Sequence, residues 1–237
     1  MKTTTQLIIF FISSIVFAQL PVSLKEISES TESYYDYKGS IYNTINFIKS
    51  SVIHEKSGKY DAELRYNIHT DALELKRRND IAFNIIKSPT THARLGDDYF
   101  YYCEFKTRDG IRKDGYYILV ELNENYKIYK RHTLKIIEPK KGATVVTSEV
   151  ENEGKIIKLT RYYIEEGGVI IELPMKKKQL LSVLGDEMNK LKAYIKKEKI
   201  RLRKEEDLIR LVSRYNAIKN VNSNQPRSLL SSMGQSN

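Results

Sequence analysis

Between residues 39 and 174 the chain repeats one unit, a short apolar or alternating run followed by a turn. Residues 63–69 are the plainest case. Leu64, Tyr66 and Ile68 fall on one side, and Glu63, Arg65, Asn67 and His69 on the other. A period of two predicts a half-buried strand, because successive side chains of a pleated chain point to opposite faces. Thr70-Asp71 turns the chain, Leu73 and Leu75 carry the return, and Asn79-Asp80 turns it again into Ile81, Phe83 and Ile85. In 99–106, Tyr99, Tyr101, Cys103 and Phe105 share a face. Asp109-Gly110 and Asp114-Gly115 are turn dipeptides. Further strand runs are read at 116–122, 126–137, 145–151, 155–164 and 169–173. Many short strands joined by short turns predict an antiparallel meander rather than a parallel sheet, which would need helical crossovers. A twisted sheet of that size curls.

At Lys176 the pattern changes to three short helices. The first follows Pro174, with Leu180, Leu181, Val183 and Leu184 on its apolar side. Gly185 suits the left-handed residue after a helix end, and Asp186 suits an N-cap. Met188, Leu191 and Ile195 then mark a second helix, with Tyr194 on its flank. The third opens on Glu205-Glu206-Asp207, acids that favour the positive end of a helix dipole, and continues with Leu208, Leu211, Val212 and Tyr215. Three narrow stripes cannot bury themselves, so they must pack on the strands. The expected fold class is α+β: an antiparallel, curled β-meander followed by a C-terminal group of short helices. The simplest arrangement has those helices plug or cap the curl.

Charge is concentrated in the same region. The chain carries a formal net charge of +10, and residues 176–204 hold eleven Lys or Arg against Asp186, Glu187 and Glu198. Charge runs commonly form a solvated helix face. The sharper expectation is a docking surface for an anionic partner, a membrane surface or an acidic protein, around Lys190, Lys196, Lys197, Arg201 and Arg203.

The N-terminus has the form of a secretory signal peptide. Lys2 supplies the charge, residues 7–17 a short apolar run, and Val16 and Ala18 the small residues at the cleavage positions. The run is shorter than the roughly 20 residues a membrane-spanning helix needs. Cleavage before Gln19 implies a periplasmic or cell-surface location. Residues 19–34 read as a flexible leader, 35–216 as a single β-rich domain with helices from about 176, and 217–237 as a disordered tail rich in Ser and Asn. Cys103 is the single cysteine, so no internal disulfide can form.

No stretch carries a catalytic or cofactor signature. His54, His69, His92 and His132 are far apart, and no metal-ligand spacing, nucleophile elbow or Gly-rich phosphate loop occurs. The expectation is therefore no catalytic residue, no cofactor and no metal. The 17 tyrosines read as half-buried packing residues that could also line a ligand face. No nucleic-acid-reading motif is present, and an exported protein rarely meets nucleic acid.

Several C-terminal motifs look familiar: Lys176-Lys177-Lys178, Leu180-Leu181, Gly185-Asp186, Tyr194-Ile195-Lys196-Lys197, Glu206-Asp207-Leu208 and Tyr215-Asn216. With Arg65-Tyr66-Asn67 and the signal ending Phe17-Ala18-Gln19, the chain resembles a family of small exported proteins of Bacteroidota. The resemblance implies export and a shared fold, and transfers no active site. The leading functional expectation is a non-catalytic interaction module of the cell envelope. The alternatives are a periplasmic carrier holding an apolar ligand inside the curled sheet and, last, a hydrolase.

Overall fold

The computed structural model describes residues 20–28, 34, 37–76, 82–139, 153–220, 228–230 and 233. The expected signal peptide over 1–18 and the expected strand over 145–151 lie outside them. Among the described residues are eleven strands: β1 (Lys25–Ile27), β2 (Ile48–His54), β3 (Gly58–Asn67), β4 (Ala72–Leu75), β5 (Phe83–Ile85), β6 (Thr91–Leu95), β7 (Asp98–Lys106), β8 (Arg112–Leu122), β9 (Lys127–Ile137), β10 (Lys155–Glu166) and β11 (Val169–Leu173). Three helices follow: α1 (Lys177–Val183), α2 (Met188–Lys197) and α3 (Glu205–Asn220). The fold is α+β, a mostly antiparallel sheet with helices toward the C-terminus.

The strands form one sheet in the order β1-β5-β4-β3-β2-β6-β7-β11-β10-β9-β8, and β7 also pairs with β8. That extra pairing closes β7, β8, β9, β10 and β11 into a five-stranded ring. All its contacts are antiparallel except one. β11 meets β7 in parallel, with Val169 opposite Lys106 and the Lys106 N–H donating to the Gly168 carbonyl at 3.0 Å. The sheet is thus not a simple meander, since β2 reaches past its hairpin partner β3 to pair with β6.

Two cores share the strands between them. Phe100, Tyr116 and Ile118 point into a large cluster with Val52, Leu64, Tyr66, Leu73 and Ala93. Their neighbours Phe105 and Tyr117 point the other way, into the ring, and meet Tyr129 and Ile170. Phe105 lies 5.2 Å from Tyr129 and Tyr117 lies 5.7 Å from Tyr163, between strands that are not neighbours. The ring interior is therefore closed by converging aromatics, in the edge-on geometries aromatic quadrupoles favour. Strands buried on both faces read as continuous apolar runs, which is why Tyr116-Tyr117-Ile118 lacks alternation.

The segment from Lys38 to Asn43 laces the two halves together. The Lys38 carbonyl accepts from the Ile156 N–H at 2.9 Å, and the Ile41 carbonyl accepts from the Ile68 N–H at 2.8 Å. Between them Gly39 adopts φ +119°, and a Cβ there would overlap the Ile156 carbonyl, so only glycine fits.

The helices lie on the outside of the ring rather than in it. Leu180, Leu181, Leu184, Leu191, Ile195, Leu208, Leu211, Val212 and Tyr215 pack on Tyr126, Ile128, Ile164 and Leu173. Ile128 and Ile164 alternate with the lumen-facing Tyr129 and Tyr163, so they project from the opposite face. Of the two expected arrangements, plug or cap, the plug does not occur: the ring interior is filled by its own aromatics, and the helices cover the strands from outside. Gly185 takes φ +46° after α1, as expected. Glu187, rather than Asp186, is the residue before α2, and it makes no side-chain capping bond. Beyond the C-cap of α2 at Glu198, Lys199 takes φ +52°, a left-handed position usually given to glycine.

Both expected loose ends are partly ordered. The leader contains β1, paired with β5, and Leu20 is buried. At the other end α3 runs to Asn220, and Leu229, Leu230 and Met233 belong to the helical core. Glu166 holds that segment, accepting from Ser228 Oγ at 3.0 Å and the Leu230 N–H at 3.2 Å.

His132 gives the fold a pH dependence. Its ring is buried, with Nδ1 3.0 Å from Thr160 Oγ1. Burial, reinforced by Lys158 and Lys130 against the opposing Asp98, lowers its pKa to about 4. The unfolded chain takes up this proton near pH 6.5, whereas the folded chain resists until about pH 4. The unfolded state then binds more protons, so stability falls as pH drops through that window, by up to about 3 kcal/mol from this group. Denaturant melts of the wild type and His132→Gln at pH 7 and pH 4.5 should show a smaller acid loss for the variant. Equal losses would remove His132 from the account.

Candidate functional site

The basic layer comes first because its residues are contiguous in sequence. In α2, Leu191 and Ile195 are buried, which turns Lys190 and Lys197, seven residues apart, to the outside. Lys190, Lys196, Lys197, Arg201 and Arg203 are all exposed. Lys190 pairs with Glu187 at 3.0 Å. Glu198 and Asp207 are both taken by Arg210, at 3.4 and 3.1 Å. Asp207 also accepts from the Arg201 N–H at 2.8 Å. Lys196, Lys197, Arg201 and Arg203 make no ion pair among the described residues. The structure thus places all five expected patch residues on the surface of one helical layer, with Glu187, Glu198 and Asp207 engaged in ion pairs.

The second region is the mouth of the ring, a cavity of about 490 Å³. Tyr117 and Ile170 form its floor, at 1% and 3% exposure. Lys113, Leu159, Arg161 and Glu172 stand at its exposed rim, and Thr107, Arg131, Thr133, Leu134 and Tyr163 complete the wall. β8, β9, β10 and β11 each contribute at least one of these residues, and Thr107 follows the end of β7. β8 and β9 pair from Ile118 opposite Lys130 to Leu122 opposite Lys127, and part beyond Lys130. Asp71, in the turn between β3 and β4, reaches this opening.

Asp71 accepts from the Tyr66 hydroxyl at 2.6 Å and the Tyr116 N–H at 3.2 Å, and it pairs with Arg131 at 3.4 Å. Arg131 lies 5.1 Å from the centre of the Tyr117 ring and donates to the Tyr117 hydroxyl at 3.4 Å. Burial works against the Arg131 charge, but Asp71 and Tyr117 outweigh it and its pKa is raised. Burial pushes Tyr163 up to about 12. These tyrosines are neutral hydrogen-bonding walls at physiological pH.

Asp114-Gly115 lies inside β8 and not in the expected turn. A Cβ at Gly115 would overlap the Arg131 guanidinium and the Asp71 carboxylate, so the glycine clears space for that ion pair. The histidines stay apart. His54 bonds Ser57 at 2.7 Å, His69 meets Tyr34 at 3.4 Å, and His92 stacks on Tyr101 at 4.8 Å. Burial pushes the Cys103 thiol up to about 12, which leaves it a poor nucleophile. Among the described residues, no group of three or more His, Cys, Asp and Glu could hold a metal ion, and no helix is long and apolar enough to cross a membrane.

Comparison with known protein families, with curated proteins and with solved structures finds no match.

Proposed function

We propose that the chain is an exported, non-catalytic interaction module of the cell envelope, and that its basic helical layer docks on an anionic membrane surface. One observation carries this reading: the apolar stripes of α1 to α3 are consumed in the core while Lys196, Lys197, Arg201 and Arg203 project without ion-pair partners among the described residues. Such side chains keep their full attraction for a negative surface. Each basic residue near an anionic membrane contributes about 1 kcal/mol.

The ring interior does not favour a carrier of a purely apolar ligand, since Phe105, Tyr117, Tyr129 and Ile170 occupy it. A hydrolase would need convergent acid–base groups, and the four histidines lie apart, each with a different partner.

Sedimentation with phosphatidylglycerol vesicles tests the docking. At low salt the wild type should bind these and ignore phosphatidylcholine vesicles. Changing Lys190, Lys196, Lys197, Arg201 and Arg203 to Gln should weaken binding at least about 100-fold. Binding should also fade toward 1 M salt, where the screening length shrinks to about 3 Å. Equal vesicle binding by wild type and variant would assign the layer a solubilising role, and selective capture of an acidic protein would move the proposal to that partner class.

A further inference from the structure

The mouth of the β7–β11 ring has a chemistry that the basic helices do not share. It combines cations, neutral tyrosines and apolar side chains within one cavity of about 490 Å³, inside the range of roughly 300–1,000 Å³ usual for small-molecule sites. Lys113, Arg131 and Arg161 bring three positive charges. Glu172 at the rim and Asp71 behind Arg131 bring two negative ones. Lys87 shares Asp71 at 3.6 Å, so positive charge is in excess around the mouth.

Arg161 is the rim group best placed to use it. Its Nη1 donates to both Glu172 oxygens at 3.1 Å. Its Nη2 and Nε make no hydrogen bond among the described residues. A guanidinium presents donors in a planar fork that matches a carboxylate. On β9, opposite the rim residue Leu159, Thr133 Oγ1 is buried and has no hydrogen-bond partner among the described residues. A buried hydroxyl without a partner carries a desolvation penalty, so it either tolerates that cost or receives a partner from a ligand. Thr133 alternates with His132 and shares the lumen face of β9 with Arg131 and Tyr129. It therefore stands on the cavity wall. Tyr117, Tyr163, Leu159 and Ile170 offer flat and aliphatic surface beside these polar groups.

We infer that the ring mouth is a binding site for a small amphipathic monocarboxylate, its carboxylate held by Arg161 and Thr133 and its apolar body against Tyr117, Tyr163 and Leu159. The positive excess fits an anion better than a neutral molecule, and the single open edge of the Arg161 fork matches one carboxylate. The partly apolar wall fits a body larger than acetate. The site is separate from the helical layer, which covers the outer face of the same strands, so either proposal can fail alone.

The test is calorimetric titration of the full chain with 3-phenylpropionate and with its neutral counterpart 3-phenylpropan-1-ol. The acid should saturate one site. Arg161→Gln should weaken the acid roughly tenfold and leave the alcohol unchanged, as expected for one lost charge-assisted hydrogen bond. Thr133→Val should weaken the acid several-fold without lowering the melting temperature, because the hydroxyl has no protein partner to lose. Leu159→Trp, at a rim position that is 38% exposed, should fill the mouth and abolish binding while the fold is kept. Failure of the acid to saturate at millimolar concentration would overturn the proposal. So would acid and alcohol losing affinity alike in Arg161→Gln, or undiminished binding in Leu159→Trp.

Discussion

Deleting the chain from Lys176 onward should abolish cooperative folding of the strand region. The helices are not an appendage. Leu180, Leu181, Leu184, Leu191, Ile195, Leu208, Leu211, Val212 and Tyr215 are buried against Ile128, Ile164 and Leu173, and the truncation would expose both sides of that contact. Each buried aliphatic side chain contributes roughly 1.5–3 kcal/mol. Losing even half of these, about 7–14 kcal/mol, is comparable to the whole net stability of an ordinary domain, about 5–15 kcal/mol. Polar links are lost with them. Glu205 pairs with Lys130 at 3.3 Å and accepts from the Tyr162 hydroxyl at 3.0 Å, tying the start of α3 to β9 and β10. Circular dichroism of the truncated chain should show no sharp thermal transition. A cooperative melt near the full-length temperature would mean that the helices form a separate lobe.

The helices and most strands were legible because their patterns are local. The acidic start at Glu205, the stripe through Leu208 and Tyr215, and the alternation through Tyr66 each sit within one element. Topology was less legible. The stretch Ile48 to His54 carries Lys49, Ser50 and Ser51 together, so it has no clean alternation, although β2 is central to the sheet. Double-sided burial hid the shared role of β7 and β8. That the helices pack on the strands was legible, but which surface they cover was not, because a periodic apolar stripe says that it is covered and not by which surface.

The basic patch could be read directly from a run of lysines and arginines. The ring mouth could not. Arg131 and Arg161 are cross-strand partners on β9 and β10, but Ile170 and Glu172 join Tyr117 and Lys113 around one mouth only because β11 also meets β7, through the short parallel contact between Val169 and Lys106. Gly115 carried a real signal, but glycine after aspartate is also what a turn requires, and the local reading took precedence. Asp71 looked like a turn residue and is one, at φ +53°. Its second role, pairing with Arg131 across the opening between β8 and β9, depends on long-range packing.

The second large effect is expected at Glu74, which is 2% exposed. Its carboxylate accepts from Arg65 Nε at 2.7 Å and from Asn67 Nδ2 at 2.8 Å. The Arg65 guanidinium is held over the rings of Tyr42 and Phe47, 3.7 and 4.4 Å from their centres, and donates to the Tyr42 hydroxyl at 2.9 Å. Asn67 in turn caps the following turn, its Oδ1 accepting from the His69 N–H at 3.0 Å. Glu74→Ala leaves a partly buried cation and a buried amide without their acceptor, and breaking such a pair from one side costs about 3–5 kcal/mol. Glu74→Gln keeps an acceptor for Asn67 and should cost less. Adding Arg65→Met to Glu74→Ala removes the stranded charge and should recover part of the loss, so the double variant should be more stable than the two single effects imply. Strict additivity in a double-mutant cycle of denaturant melts would mean that Arg65 is held by Tyr42 and Phe47 alone and gains nothing from Glu74.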